Sequence, residues 1–378
     1  MTRVMSSAYM QWAKKRSGSR YNLATSGLRS YTLAGLPVTI EDLDPLTRAG
    51  DYGYPPLTEA LAAHCGVAAE NVVTAAGTSM ANMLAMAAIL EPGGEVLVEH
   101  PAYELLLAAL GYLQADIRRF PRRAETGFAL DPMEVERAIT PRTRLIVITN
   151  IHNPSSALAS EDQLRAIGAI ARRVGARVLV DEVYLDAAFD LKPRPSIHLG
   201  PEFVVTSSLT KVYGLSGLRC GWILAEPELA RRIWLLDDLF DVNMPHAAER
   251  LSVIVFQNFE RVREQSRTLL DTNRVLLNQF LTGRKDLEVR PLEYGTTVFP
   301  RLLTGAVDKF CELFRNEYEG TVVPGSFFEM PDHFRIGIGG ETGPLQASLG
   351  RLGEALDEFG KAPAPSRSRL GSVTEPRA

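Results

Sequence analysis

Apolar positions along this chain fall into short unbroken runs separated by longer amphipathic ones. "NVVTA" (71–75), "EVLVE" (95–99) and "RLIVIT" (144–149) are runs of the first kind. Continuous apolarity over so few residues predicts a strand buried on both faces. "RVLVDEVY" (177–184), "FVVTSS" (203–208) and "GWILA" (221–225) are further strand candidates. Gly77 turns the chain from the first of these into an apolar helix that ends at Pro92-Gly93-Gly94. In "SEDQLRAIGAIARRVG", Ser160 and Gln163 form a capping-box pattern, and Leu164, Ile167, Ile170, Ala171 and Val174 share one helical face before Gly175. Strand–helix–strand alternation of this kind predicts an α/β fold: a mostly parallel central sheet with helices on both faces.

The pattern changes after about Pro245. "AAERLSVIVFQNFERVREQSRTLLDTNRVLLNQFL" reads as one long helix closed by Gly283. Short strands follow in "LEVRP", "TTVFPRL", "TVVPG" and "HFRIGIG", then a last helix near 343–358. The expected organisation is a large domain over 46–245 and a smaller α+β domain over 246–360. An irregular N-terminal arm over 1–45 packs with the small domain. The tail over 361–378, rich in Pro, Ser and Arg, has a composition that predicts disorder. No internal repeat is visible.

Composition narrows the function without choosing it. With 378 residues, 46% of them hydrophobic, the chain can bury a sizeable core. A net charge of −4 offers no basic surface for nucleic acid or membrane. Cys65, Cys220 and Cys311 are scattered and odd in number, which fits a reducing cytoplasm better than a disulfide framework or a zinc cluster. His64, His100, His152, His198, His246 and His333 show no metal-ligand spacing, so no metal is expected. The N-terminus has no apolar stretch of signal-peptide length. The longest apolar run, "MANMLAMAAIL" (80–90), is too short to cross a bilayer.

The candidate chemistry lies where strands end, because ligands of open α/β sheets bind beyond the carboxyl ends of the strands. Asn153 follows one predicted strand, Asp181 ends the apolar run RVLV of another, and Lys211 follows a third. Gly77-Thr78-Ser79 opens a helix, where N–H groups and hydroxyls suit a phosphate. Taken singly, each has a plain alternative: a surface lysine, a capping aspartate, an Asn-Pro turn, ordinary helix-start residues. Together they suit a phosphorylated heteroaromatic aldehyde. The lysine would hold it as a Schiff base, the carboxylate would keep its ring nitrogen protonated, and Arg219 would add charge at the phosphate. Ser208-Leu209-Thr210-Lys211 also matches the S-x-x-K of serine acylases, but no K-T-G element accompanies it.

Lys211 onward, K-x-x-G-x-x-G-x-R-x-G, resembles the signature of class I/II aminotransferases, which are fold-type I pyridoxal-phosphate enzymes. "HNPSSA" (152–157), "DEVY" (181–184), "GDYGYPP" (50–56), "VVPGSFF" and "HFRIGIG" resemble further family segments in the family's order, over roughly residues 20–360. The resemblance implies that Lys211 is the Schiff-base lysine and proton shuttle. It implies that Asp181 pairs with the pyridine nitrogen, Asn153 and Tyr184 bond the ring's phenolic oxygen, and Tyr103 stacks on the ring. Gly77, Thr78, Ser79, Ser208 and Arg219 would hold the phosphate, joined by Tyr52 of the partner subunit in a homodimer. Arg335 would grip the substrate carboxylate as a bidentate fork, with Asn153 and Gly27 beside it. The implied activity moves an amino group between an amino acid and a 2-oxo acid. A lyase, a decarboxylase or a cyclising synthase would share almost all these residues. A non-catalytic cofactor-binding module is the alternative of a different class. The sequence departs from the family at Ser155-Ser156, where Thr-Gly is usual, at Cys220, and in "SGLRSYT", which lacks the Gly-Glu-Pro-Asp pattern.

Overall fold

The computed structural model describes residues 3–16, 18–47 and 52–361. Gly50 and Asp51 of the "GDYGYPP" segment, and the predicted tail from residue 362 on, lie outside the described residues. A seven-stranded sheet forms the centre of the larger part. Its strands are β1 (Val72–Ala76), β2 (Glu95–His100), β3 (Asp116–Pro121), β4 (Thr143–Thr149), β5 (Arg177–Asp181), β6 (Phe203–Ser208) and β7 (Cys220–Leu224). Their spatial order is β1-β7-β6-β5-β4-β2-β3. Strands β6, β5, β4, β2 and β3 run parallel, whereas β7 is antiparallel to both its neighbours.

Helices cover both faces, which is why the inner strands are largely apolar. On β4, Leu145 and Val147 pack in the cluster that includes Leu84, Leu106 and Ile233. These come from α3 (Thr78–Ile89), α4 (Glu104–Tyr112) and α7 (Pro227–Asp237). Ile146 and Ile148 point the other way, into a cluster with Val135 and Ile167, from α5 (Pro132–Ala138) and α6 (Glu161–Val174). Each such fully buried side chain contributes about 1.5–3 kcal/mol. Helix α6 carries its capping box: the Gln163 N–H donates to Ser160 Oγ (3.2 Å) and the Ser160 N–H to Gln163 Oε1 (2.8 Å). Gly175 ends it at φ +73°, a left-handed conformation that glycine adopts freely.

The smaller part has an antiparallel sheet of β8 (Thr297–Val298), β9 (Val323–Pro324) and β10 (Phe334–Gly337), with β10 central. Around it pack α9 (Phe259–Thr282), α10 (Val307–Tyr318) and α11 (Thr342–Lys361), through Leu270, Phe310, Phe314 and Leu352. Residues Tyr21–Asn22 pair in parallel with Gly320–Thr321, so the N-terminal segment meets this part. Among the described residues no helix is long and apolar enough to cross a membrane.

Three elements differ from expectation. The long helix after Pro245 is two, α8 (His246–Gln257) and α9, broken at Asn258. There the Asn258 side-chain amide donates to the Ile254 carbonyl (2.8 Å), competing with the helical ladder. The arm expected to be irregular contains α1 (Ala8–Arg16). Only Tyr9 of that helix is buried. Its start is held by a long-range contact, the Ala8 N–H donating to Glu104 (3.1 Å), and by Ser7 Oγ, which accepts from the Met10 N–H (3.0 Å). The strand predicted over 177–184 stops at Asp181, whose carboxylate accepts the Val183 N–H (3.2 Å) and turns the chain.

Candidate active site

Sheet topology gathers the site. Strands β4, β5 and β6 are neighbours, in register at Thr149–Asp181–Thr206. Asn153, Asp181 and Lys211 therefore lie along one rim at their carboxyl ends. Because β7 runs backwards, its beginning reaches the same rim, with Cys220 opposite Ala76 and Gly221 opposite Ser208. Arg219 is thereby delivered beside the start of α3.

The corner between β1, β6 and β7 is small and polar. Arg219 donates from Nη2 to the Ala76 carbonyl (2.8 Å), and Thr78 Oγ1 donates to Ser208 Oγ (2.8 Å). Gly77 has φ +79° and ψ 171°, backbone space that is essentially glycine's alone. A Cβ on Gly77 would strike the Arg219 guanidinium, and one on Gly221 would come within 2.6 Å of the Gly77 backbone. Thr78, Ser79, Ser208 and Arg219 all line one cavity of about 720 Å³, as do Tyr103, Asn153, Asp181, Tyr184 and Lys211.

Asp181 sits deep in that cavity. It accepts from Asn82 Nδ2 (2.8 Å), and Asn82 in turn accepts from Thr206 Oγ1 (2.6 Å). Burial pushes the Asp181 carboxyl up to about 6, against the opposing pull of Asn82, the Val183 N–H and Lys211. Lys211 is held below the ordinary lysine range, chiefly by burial, with the Arg335 and Arg219 charges acting the same way. Its Nζ donates to Ser26 Oγ (3.2 Å), which also accepts from the Tyr184 hydroxyl (2.8 Å). Gly27 packs on the lysine stem: a Cβ there would come 3.2 Å from Lys211 Cδ.

Arg335, from β10, is fully buried. It donates to Asn153 Oδ1 (3.0 Å), the Tyr9 hydroxyl (2.9 Å) and the Ala24 carbonyl (2.9 Å). Among the described residues no carboxylate pairs with it, and its Nε lacks a partner. Burial raises the Tyr9 phenol, but the Arg335 and Lys211 charges outweigh it and hold the group below its ordinary value. Tyr103 meets Tyr9 edge-on at 5.4 Å between ring centroids. Tyr52 is 79% exposed and lies apart from this cavity in its own chain.

The structure brings together every sequence-predicted residue except Tyr52. It adds Ser26, Tyr9 and Asn82. Asn82 was legible in principle, since it lies four residues after Thr78 and so on the same helical face. Ser26 and Tyr9 carry no local signal. The departures also have structural expression. Ser156 occupies a left-handed position (φ +62°), and its hydroxyl donates to the Thr297 carbonyl (2.7 Å). Ser155 Oγ lies 2.6 Å from His152 Nδ1. Burial pushes the Cys220 thiol up to about 12, so it is not a nucleophile at neutral pH.

The family described as aminotransferase class I and II matches residues 30–352. A capreomycidine synthase from Streptomyces vinaceus is 29% identical over 359 residues, covering 91% of this chain and 92% of that one. An aspartate aminotransferase from Pyrococcus horikoshii is 26% identical, covering 82% and 81%. Among solved structures, a PLP-dependent aminotransferase from Streptococcus suis superposes with a TM-score of 0.87 at 24% identity, covering 95% of this chain and 99% of that one. The PLP-dependent cyclase OrfR superposes with a TM-score of 0.84 at 23% identity, covering 95% and 98%. These likenesses identify the fold as fold type I.

Proposed function

This chain belongs to the class I and II aminotransferases, and from that premise we propose that it binds pyridoxal 5′-phosphate through Lys211 and moves an amino group between an amino acid and a 2-oxo acid. The observation that carries the reading is one rim bearing a half-buried amine, a buried carboxylate and a buried arginine with no acidic partner among the described residues. A phosphorylated pyridine aldehyde and an amino acid together supply what those groups lack. When bound, the cofactor supplies an electron sink that makes the substrate's α-hydrogen acidic. Gly77, Thr78, Ser79, Ser208 and Arg219 would hold its phosphate, Asp181 its ring nitrogen, Asn153 and Tyr184 its ring oxygen, and Tyr103 its ring face.

The chain's own residues then have defined work. Lys211 Nζ takes the α-proton and returns it, which requires a neutral amine. Burial and the neighbouring guanidinium charges favour that form. Asn82 holds Asp181 so that its carboxylate oxygens keep one orientation. Arg335, with Asn153 beside it, offers a planar fork to the substrate α-carboxylate. Gly27 leaves room for the lysine stem. Tyr52, exposed in its own chain, would enter the site as Tyr52 of the partner subunit in a homodimer. Three unpaired cysteines support a reducing, cytoplasmic setting.

Borohydride treatment tests the reading. It should fix the cofactor on Lys211, and Lys211→Ala should abolish the adduct. An adduct on another lysine, or none in the wild type, overturns it. A second reading, cyclisation on the same scaffold, is favoured by the similarity to a capreomycidine synthase over nine-tenths of the chain. Single-turnover reactions with a panel of amino acids separate the two. Transamination leaves aminated cofactor and a 2-oxo acid. Cyclisation leaves the cofactor unchanged and the substrate nitrogen in a new ring.

A further inference from the structure

Ser26 opens "SGLRSYT", where the sequence departs from the family pattern, and its hydroxyl occupies the centre of the catalytic rim. It is 6% exposed. Its Oγ accepts from Lys211 Nζ at 3.2 Å and from the Tyr184 hydroxyl at 2.8 Å. Among the described residues it is the hydrogen-bond partner of the lysine amine. Its backbone is pinned from both halves of the molecule. Thr296 Oγ1 donates to the Ser26 carbonyl (2.6 Å), and two residues on, the Leu28 N–H donates to the Lys211 carbonyl (2.7 Å). A Cβ on Gly339 would collide with the Gly27 carbonyl, so glycine is what lets the two backbones pass this closely. The hydroxyl is thus fixed, whereas a lysine left to itself has a flexible four-carbon stem.

We infer that Ser26 is a positioning residue for Lys211: its hydroxyl, shared with Tyr184, holds the amine where it meets the substrate's α-hydrogen. The inference rests on the aminotransferase reading. The chemistry suits a hydroxyl. It accepts from an ammonium and donates to a neutral amine, so one hydrogen bond survives both protonation states. When Lys211 takes the α-proton, the C–H electron pair stays with the substrate. The new ammonium directs one N–H at Ser26 Oγ, and Ser26 gains or loses no proton overall. The other groups facing the amine are charged or phenolic: Tyr9 from α1, Asp181 from β5, Arg219 before β7 and Arg335 from β10. They act on Lys211 through their charge, and the hydrogen bond that fixes its direction comes from Ser26.

The test compares full-length wild type, Ser26→Ala and Ser26→Thr. With the holoenzymes, kcat and KM are measured with α-protiated and α-deuterated amino donor. With the cofactor-free proteins, the titration of Lys211 is followed by competitive acetylation with acetic anhydride and mass spectrometry. In Ser26→Ala, kcat should fall about ten- to a hundredfold with KM little changed. The isotope effect on kcat should rise, because proton transfer becomes the slower step. The Lys211 titration should move down by about one pH unit, because its ammonium loses an acceptor. Ser26→Thr, which keeps the hydroxyl, should restore both. A wild-type isotope effect together with an unchanged Lys211 titration in Ser26→Ala overturns the inference, and so does a Thr variant that behaves like Ala. If the wild type takes up no cofactor, the aminotransferase reading fails, while the acetylation curves still decide the Ser26 contact.

Discussion

Asp181→Asn should stabilise the cofactor-free protein at alkaline pH while ruining its affinity for the cofactor. The carboxyl is buried and pushed up to about 6 from an ordinary 3.8. Between those values the folded chain binds a proton that the unfolded chain has released. Folding stability therefore falls as pH rises through this window, and the penalty is complete above the folded value. A displacement of about two pH units corresponds to about 3 kcal/mol. Asparagine removes the titration and keeps the shape. Its oxygen can still accept the Val183 N–H, and Asn82 can rotate its amide to accept from the new NH₂ and donate to Thr206 Oγ1. At pH 8 the variant should gain up to about 3 kcal/mol, an upper bound because Lys211 loses a favourable neighbour. For a chain of this length that is about 4 °C in Tm. Scanning calorimetry of both cofactor-free proteins at pH 5 and pH 8 reads the difference, which should shrink at pH 5. With saturating cofactor the order should reverse, since only the wild type has the carboxylate that a protonated ring nitrogen requires. A variant less stable than wild type at pH 8, or an advantage independent of pH, refutes the assignment of burial as the cause.

Two further substitutions test other parts of the rim. Arg335→Lys loses the planar fork and at least one of three buried hydrogen bonds. It should raise KM for the amino donor about ten- to a hundredfold, as expected for losing a charge-assisted bond of about 1.5–3 kcal/mol. Steady-state kinetics check this, and an unchanged KM places the substrate carboxylate elsewhere. Gly77→Ala forces a side chain into glycine-only backbone space, at about 1–3 kcal/mol, and into the Arg219 guanidinium. Cofactor titration followed by absorbance should show weaker binding at least tenfold, and wild-type affinity would mean that Arg219 does not serve the phosphate.

Much of this was legible in the sequence because the relevant signals are local. A strand buried on both faces is written as an unbroken apolar run, and β6 was bounded to the residue from "FVVTSS". Residues at or just beyond the ends of such runs lie on the ligand rim by topology alone, which is why Asn153, Asp181 and Lys211 stood out together before any family was considered. What was missed depends on contacts far away in sequence. Helix α1 is ordered by Glu104, some 96 residues on. Strand β3 is an edge strand whose "DIRRFP" is half-exposed and lacks the apolar run. Ser26 meets its partners 158 and 185 residues away, and nothing in "ATSGL" announces them. The break at Asn258 was the opposite failure: helical periodicity continued across it, and a single side-chain amide decided the outcome.

The family's motif letters matter less than the geometry they specify. After Asn153-Pro154 the family usually has Thr-Gly, and glycine is the residue that enters left-handed backbone most freely. This chain enters it with Ser156 at φ +62°. A non-glycine residue in that region costs about 1–2 kcal/mol. The Ser156 hydroxyl offsets part of that by donating to the Thr297 carbonyl, across to the smaller antiparallel sheet. Thr297 Oγ1 in turn donates to the Pro154 carbonyl at 3.1 Å. The two bonds tie both sides of the loop to β8, whose neighbour in the sheet is β10, the strand of Arg335. A glycine would leave the loop dependent on Thr297 alone. The substitution therefore couples Asn153 more tightly to the strand that carries the Arg335 guanidinium, and the Asn153–Arg335 bond at 3.0 Å closes that circuit.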